Sequence, residues 1–258
     1  MPAAPPPRAR SLLPREHGAY GQLGVPLAVA LASGRPGLSA IALAIATIGG
    51  FLSHEPALVL AGHRGRRARD EHGRRARRLL VGLAVITAAA GTLGVASAGP
   101  PVAYAVGVVA GLAAVTGVLV AVRREKTLVG EALVASTLAA AAVPVALAGG
   151  VAVAPAVATW AAWTVGFAAV TAAVKDVIAH GKRRREPWPR LLLAAVVGGA
   201  VALAVAIDAT IGASAPLLVT AIALALSLPS PRRLRQVGWC LVAATLATGA
   251  WLVVLAHA

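Results

Sequence analysis

Apolar residues recur along this chain in nine runs, separated by short polar stretches or stretches rich in glycine and proline. A helix needs about 20 predominantly apolar residues to cross the hydrocarbon core of a membrane. The pattern therefore predicts an all-α membrane protein of about nine transmembrane helices. The predicted spans are 17–33, 38–60, 79–97, 101–122, 127–149, 154–177, 189–207, 213–229 and 237–256. The first span is as short as the eighth, and its segment "HGAYGQLGVP" is polar for a membrane helix.

The connections between these runs alternate in charge. Of the 24 Lys and Arg residues, only Arg35 falls in the connections after the first, third, fifth and seventh spans. Basic loops are retained in the cytoplasm. We therefore expect a cytoplasmic N-terminus and, after nine crossings, a C-terminus on the outside.

Composition supports the membrane assignment and excludes other classes. The 258 residues are 59% hydrophobic and 13% charged, whereas soluble domains are about 45–50% apolar. A net charge of +15 would suggest nucleic-acid binding in a soluble chain. Here aromatic residues that could stack on bases make up only 3%, and membrane orientation accounts for the charge. We expect the lipid bilayer as a partner and no nucleic acid.

The domain organisation predicted from this pattern is simple. Residues 1–13 are rich in proline and arginine, and we expect a disordered N-terminal tail. Residues 14–258 form a single polytopic transmembrane domain. The lone cysteine, Cys240, rules out an internal disulfide framework.

Ionisable and polar side chains at the ends of the apolar runs mark candidate functional positions, because a charge in hydrocarbon is costly. They form four groups, all at predicted cytoplasmic helix ends, and we expect them to line one polar pocket that opens to the cytoplasm. The groups are His17, Tyr20 and Gln22; His54 and Glu55; Arg124, Lys126, Thr127 and Glu131; and Lys175, Asp176 and His180.

Structural explanations for the same residues stay open. Asp176 could form an ion pair with Lys175, and the basic loops could bind anionic lipid headgroups. Pro56 is expected to kink the second span, so that Ser53 or His54 satisfies the backbone groups that the kink frees.

Two segments, "RREKTLVGE" (123–131) and "VKDVIAHGKR" (174–183), resemble motifs of the UbiA superfamily of intramembrane prenyltransferases. The resemblance implies a UbiA-like bundle in which an isoprenyl diphosphate binds at Arg124, Lys126 and Thr127. Members of that superfamily hold Mg²⁺ with Asp-rich motifs after helices 2 and 6, and those places are represented here by Glu55 and Asp176. Two carboxylates would hold one Mg²⁺, and histidine ligands would favour Zn²⁺.

The first functional hypothesis is thus an intramembrane transferase acting on a prenyl or other lipid-borne substrate. Glu55 and Asp176 would hold the divalent cation or act as base, and His17 and His54 would orient an acceptor. The substrate-binding residues would be Tyr20, Gln22, Arg124, Lys126, Thr127, Glu131, Lys175 and His180. Two alternatives stay open: a transporter of a small solute or proton, and a non-catalytic membrane protein that binds lipid or supports assembly.

A second resemblance covers the first two spans. The segments "PREHGAYGQLGVP" (14–26) and "GGFLSHEPALVLAGHRGRRAR" (49–69) resemble the YwiC-like family of bacterial membrane proteins. This resemblance implies a multi-pass protein of the bacterial cytoplasmic (inner) membrane, and it implies no particular activity.

Overall fold

In a computed structural model, the described residues of the protein form α-helices and the 3₁₀ helix Ala209–Ser214. The structure describes residues 12–14, 17–182, 187–230 and 233–258, without the side chains of His17 and Leu234, and these residues contain no β-strand. The helices are α1 His17–Ala32, α2 Leu38–Leu52, α3 His54–Leu60, α4 Arg66–Ala96, α5 Pro100–Ala121, α6 Leu128–Ala140, α7 Ala142–Ala148, α8 Val153–Gly181, α9 Trp188–Ala206, the 3₁₀ helix Ala209–Ser214, α10 Ala215–Ser227 and α11 Leu234–His257.

The predicted all-helical membrane architecture is confirmed. Among the described residues, eight helical segments are long and apolar enough to cross a membrane; α2–α3, α6–α7 and the 3₁₀ helix with α10 each count as one. The ninth is α1, whose 16 residues extend over about 24 Å. The third span differs most from its prediction, because α4 begins at Arg66. Its arginine- and alanine-rich first half consists largely of good helix formers, so the helix continues outside the apolar run.

Two of the spans are interrupted by proline. Proline lacks the N–H that would bond to the carbonyl four residues earlier, and its ring clashes with that carbonyl. The carbonyls opposite Pro56 and Pro144 belong to Leu52 and Ala140, where α2 and α6 end. The hydroxyl of Ser53 donates a hydrogen bond of 2.8 Å to a backbone carbonyl one turn earlier. The break predicted at Pro56 is thus observed. The Ser53 hydroxyl bonds to the Gly49 carbonyl, which the Ser53 N–H also reaches, so satisfaction of the freed Leu52 carbonyl by Ser53 or His54 stays a prediction.

The short helix α1 runs between the same two ends of the bundle as its neighbours. Near its start, the Tyr20 hydroxyl donates to the Pro14 carbonyl at 3.0 Å, and the Tyr20 ring meets the edge of Phe51 at 5.1 Å between centroids. After its end, the Arg35 N–H donates to the Gly149 carbonyl at 2.8 Å. Contacts at both ends therefore place α1 across the same depth as α2 and α7.

The connections gather at two ends, which we name by their charge. Among the described residues, the charged end holds most of the basic ones and the connecting residues 61–65, 122–127, 182, 187, 228–230 and 233. The uncharged end holds 33–37, 97–99, 149–152 and 207–208. Between them, α8 is the central helix and packs against α6, α9 and α10. Its buried face is largely alanine, which permits the close helix approach that membrane bundles use.

Gly34→Ala is expected to destabilise the protein by about 1–3 kcal/mol, the usual cost of overpacking. A Cβ atom at Gly34 would lie 2.6 Å from the backbone oxygen of Gly149, which cannot rotate away as a side chain could. Thermal unfolding of the purified protein in detergent should show a lower midpoint. Gly37→Ala is the matched control in the same connection, because a Cβ atom there meets nothing within 4 Å. Equal midpoints for the two variants would contradict the prediction.

Candidate functional site

Glu55 is a fully buried carboxylate held by one arginine. It lies in the first turn of α3, and none of its surface is exposed. Arg64 donates from Nε to Oε1 at 3.0 Å and from Nη2 to Oε2 at 2.5 Å, a two-pronged ion pair. Arg64 lies in the connection after α3, between Gly62 and Gly65. These two residues have positive φ angles of 78° and 90°, which favour glycine. Because consecutive helical residues point in different directions, the side chain of His54 is exposed while that of Glu55 is buried.

An apolar cluster lies one turn away from Glu55. Val59, one turn later on the same face of α3, forms a buried cluster with Leu12 and Ala76. Through this face α3 packs on α4. The predicted tail extends to residue 13, and Leu12 within it is buried in this cluster; residues 1–11 lie outside those described. Glu55 and Arg64 therefore link α3 to the connection that leads into α4.

A second charged group joins α8 to the turn between α5 and α6. The Lys175 ammonium lies 3.1 Å from a carboxylate oxygen of Glu131 and donates to the backbone carbonyl of Lys126 at 2.7 Å. Thr127 begins α6, because its hydroxyl accepts the Gly130 N–H at 3.0 Å, a standard N-terminal cap. Four of the predicted substrate-binding positions are thus close together in space.

Asp176, next to Lys175, faces a different helix. It is 6% exposed, and its Oδ2 accepts a hydrogen bond of 2.8 Å from Nε of Arg190 in the first turn of α9. The ion pair that the sequence suggested for Asp176 is therefore made with Arg190. Arg190 keeps 57% of its side-chain surface exposed, so this pair borders the aqueous side of the charged end.

The remaining predicted site residues are placed as follows. Arg124 and His180 have exposed side chains at the charged end, Gln22 is half-buried in α1, and Tyr20 is 40% exposed. The side chain of His17 lies outside the described part of the chain.

These contacts sort the predicted residues into two groups. The first lies around Glu55, where α3 packs on α4 and α2, and the second around Lys175, where α8 packs on α6 and α9. In both groups the buried carboxylate already has an arginine partner, so a cation would have to displace a guanidinium. The described residues contain no group of three or more His, Cys, Asp or Glu that could hold a metal ion. The donor set therefore does not fit the two-magnesium site of the UbiA superfamily.

A small cavity lies closer to the uncharged end, between α1, α6–α7 and α8. Its volume is about 20 Å³, enough for one water molecule. Alanines and other apolar residues line most of it, together with Ser33, Thr159 and two indoles. Trp160 donates to the Ser136 carbonyl at 3.1 Å, whereas the buried Nε1 of Trp163 has no partner in the described structure. The cavity is too small for a lipid or an organic solute.

Two carboxylates outside the spans, those of Glu71 and Asp208, have pKa values lowered by nearby hydrogen bonds. On the exposed first half of α4, a hydrogen bond from Arg67, 2.6 Å long, lowers the pKa of Glu71. At the uncharged end, a hydrogen bond from the Thr210 side chain, together with the Thr210 N–H that Asp208 accepts at 2.8 Å, lowers the pKa of Asp208. Both groups stay ionised at neutral pH and stabilise helix surfaces or termini.

The long apolar helices, with basic residues collected at one end, define a multi-pass helical membrane protein. The sequence model of the YwiC-like protein family matches residues 13–147, just over half of the chain. The chain therefore belongs to the YwiC-like family, as its first two spans predicted. The match includes Glu55, Arg64 and the turn before α6, and it ends before α8. Neither the curated proteins nor the solved structures contain a match to the chain.

Proposed function

We propose that the protein binds a lipid-borne substrate with an anionic headgroup, such as an isoprenyl diphosphate, at the charged end of the bundle. The observation that carries this proposal is the link from Lys175 to Glu131 and to the backbone of Lys126. It ties α8 to the turn that carries exposed Arg124, and the proposed headgroup site comprises Arg124, Lys126 and Lys175. Cationic side chains are the usual ligands of phosphate groups. The membrane would be the cytoplasmic membrane of a bacterium.

The chemistry proposed for this site is transfer of the prenyl or other lipid group, in line with the resemblance to UbiA prenyltransferases. Departure of a diphosphate leaves negative charge on its oxygens, and preorganised cations stabilise that charge. Arg124, Lys126 and Lys175 would supply this stabilisation, and Asp176, which accepts a hydrogen bond from Arg190, would act as the base that takes the proton of the acceptor. Because the donor set does not fit two magnesium ions, no step is assigned to a metal.

Arg124→Gln is expected to weaken binding of a long-chain isoprenyl diphosphate about tenfold, the loss of one charge-assisted contact to phosphate. Arg124 is exposed, so its replacement should leave stability unchanged. Calorimetric titration of the purified protein in detergent measures the affinity, and release of inorganic diphosphate with mixed membrane acceptors measures transfer. Lys182→Gln is the control, because it removes one exposed cation near the end of α8. Equal affinities for the two variants and the unmodified protein would refute the proposed site.

A specific observation favours a second candidate function, a non-catalytic lipid-binding or assembly protein. The two buried carboxylates that a transferase would use, Glu55 and Asp176, are both held by arginines. Tight binding of the isoprenyl diphosphate without release of diphosphate would support this second function. The transporter alternative has no comparable support, since the described cavity toward the uncharged end holds about one water molecule.

A further inference from the structure

Trp163 carries a buried indole N–H that has no hydrogen-bond partner among the described residues. None of the surface of Trp163 is exposed, and its ring stacks on Phe167 at 5.3 Å between centroids. The neighbouring Trp160, by contrast, donates its N–H to the Ser136 carbonyl at 3.1 Å. A buried donor without an acceptor costs free energy, and such groups in folded proteins are usually satisfied by protein atoms or by ordered water.

The cavity between α1, α6–α7 and α8 adjoins this unpaired group, because Trp163 forms part of its lining. Two hydroxyl side chains line the same cavity. Ser33 directly follows α1, and Thr159 lies one turn before Trp163 on the same face of α8. A hydroxyl can both donate and accept, whereas the indole N–H can only donate. The cavity therefore offers one donor that lacks an acceptor and two groups that can adapt to whatever accepts from it.

The size and the chemistry of the cavity select its occupant. Its volume of about 20 Å³ exceeds the roughly 10–15 Å³ that one water molecule needs, and a lipid chain does not fit. The lining, all of it within the described part of the chain, contains no charged side chain that could compensate an ion. A buried water needs two to four polar partners, and the indole with the two hydroxyls supplies that number.

We propose that this cavity binds one ordered water molecule, which accepts the hydrogen bond of the Trp163 indole and bonds to the hydroxyls of Ser33 and Thr159. The water links the end of α1 to α8. Ser33 and Val151 are half-buried lining residues in connections at the uncharged end, so the water exchanges with the aqueous phase on that side. This site goes beyond the proposed function, because it uses no residue of the charged end.

Ultraviolet resonance Raman spectra of the purified protein in detergent test the site. The W17 band of tryptophan moves to lower wavenumber when the indole N–H donates a hydrogen bond. The difference between the unmodified protein and Trp163→Phe isolates the Trp163 band, which should lie at the lower, bonded position. Ala142→Val enlarges a lining side chain and should displace the water, so that the band moves to the free position. Ala141→Val, one residue outside the lining, is the matched control and should leave the band in place.

Radiolytic hydroxyl-radical labelling supplies a second measurement on the unmodified protein, because a bound water is converted to a radical in place. Trp163 should be oxidised although it is completely buried, and this oxidation should be lost in Ala142→Val but kept in Ala141→Val. A free indole band in the unmodified protein, or no oxidation of Trp163, would show a dry cavity and overturn the site. The affinity for isoprenyl diphosphate should be unchanged in Ala142→Val, so failure of this site and failure of the proposed function are distinguishable.

Discussion

Arg64→Met is expected to lower the free energy of unfolding by about 3–5 kcal/mol, because it leaves the carboxylate of Glu55 buried without a partner. Glu55 is completely buried, and both of its oxygens are bonded to Arg64. Methionine preserves much of the apolar length of the arginine, so the loss reports the charge rather than a cavity. Denaturant unfolding of the protein in mixed micelles measures the change.

Substitution of the other member of the ion pair supplies the control. Glu55→Gln should cost less than Arg64→Met, because Arg64 is 32% exposed and can turn toward water. The double variant should recover much of the loss, with a coupling energy of about 1–3 kcal/mol, as expected for two groups in direct contact. If Arg64→Met is as stable as the unmodified protein, Glu55 does not depend on that guanidinium, and a direct role of Glu55 with substrate becomes the better explanation.

The sequence predicts the helices well because the bilayer constrains them. A run of about 20 apolar residues has one stable outcome in lipid, an α-helix that satisfies its own backbone. The breaks in two spans follow from Pro56 and Pro144, because proline cannot complete the hydrogen bonding of a helix. Only the first break is predicted above. The long first half of α4 is missed because the apolar run begins only at residue 79. Residues with good helix propensity extend back from there to Arg66.

The candidate site is predicted less completely, since hydropathy gives the depth of a residue but not its direction. Helices such as α5 and α8 are apolar around nearly their whole circumference, so no amphipathic face indicates which residues meet. Arg64 and Arg190 are missed as partners of Glu55 and Asp176. They lie nine and fourteen residues away, outside the three- and four-residue spacing of helical neighbours, in basic stretches whose charge membrane orientation already explains.

Surface labelling of single cysteines is expected to give an all-or-none result across the membrane. In a Cys240→Ala background, Ser97→Cys should react with an impermeant maleimide in intact cells. Arg123→Cys should react only after the membrane is permeabilised. The reason is that basic connections stay in the cytoplasm, and 97–99 lies at the uncharged end. Both positions are exposed, so protection would report the membrane rather than burial.

The short helix α1 decides on which side the N-terminus lies. About 24 Å of helix must cross a hydrocarbon core of about 30 Å, which requires local thinning of the bilayer or tilting of neighbours. Because α1 makes contacts at both ends of the bundle, we expect Leu13→Cys, 52% exposed before substitution, to be protected like Arg123→Cys. Labelling of Leu13→Cys from outside, with Arg123→Cys still protected, would show that α1 enters the membrane without crossing it. The chain would then cross eight times.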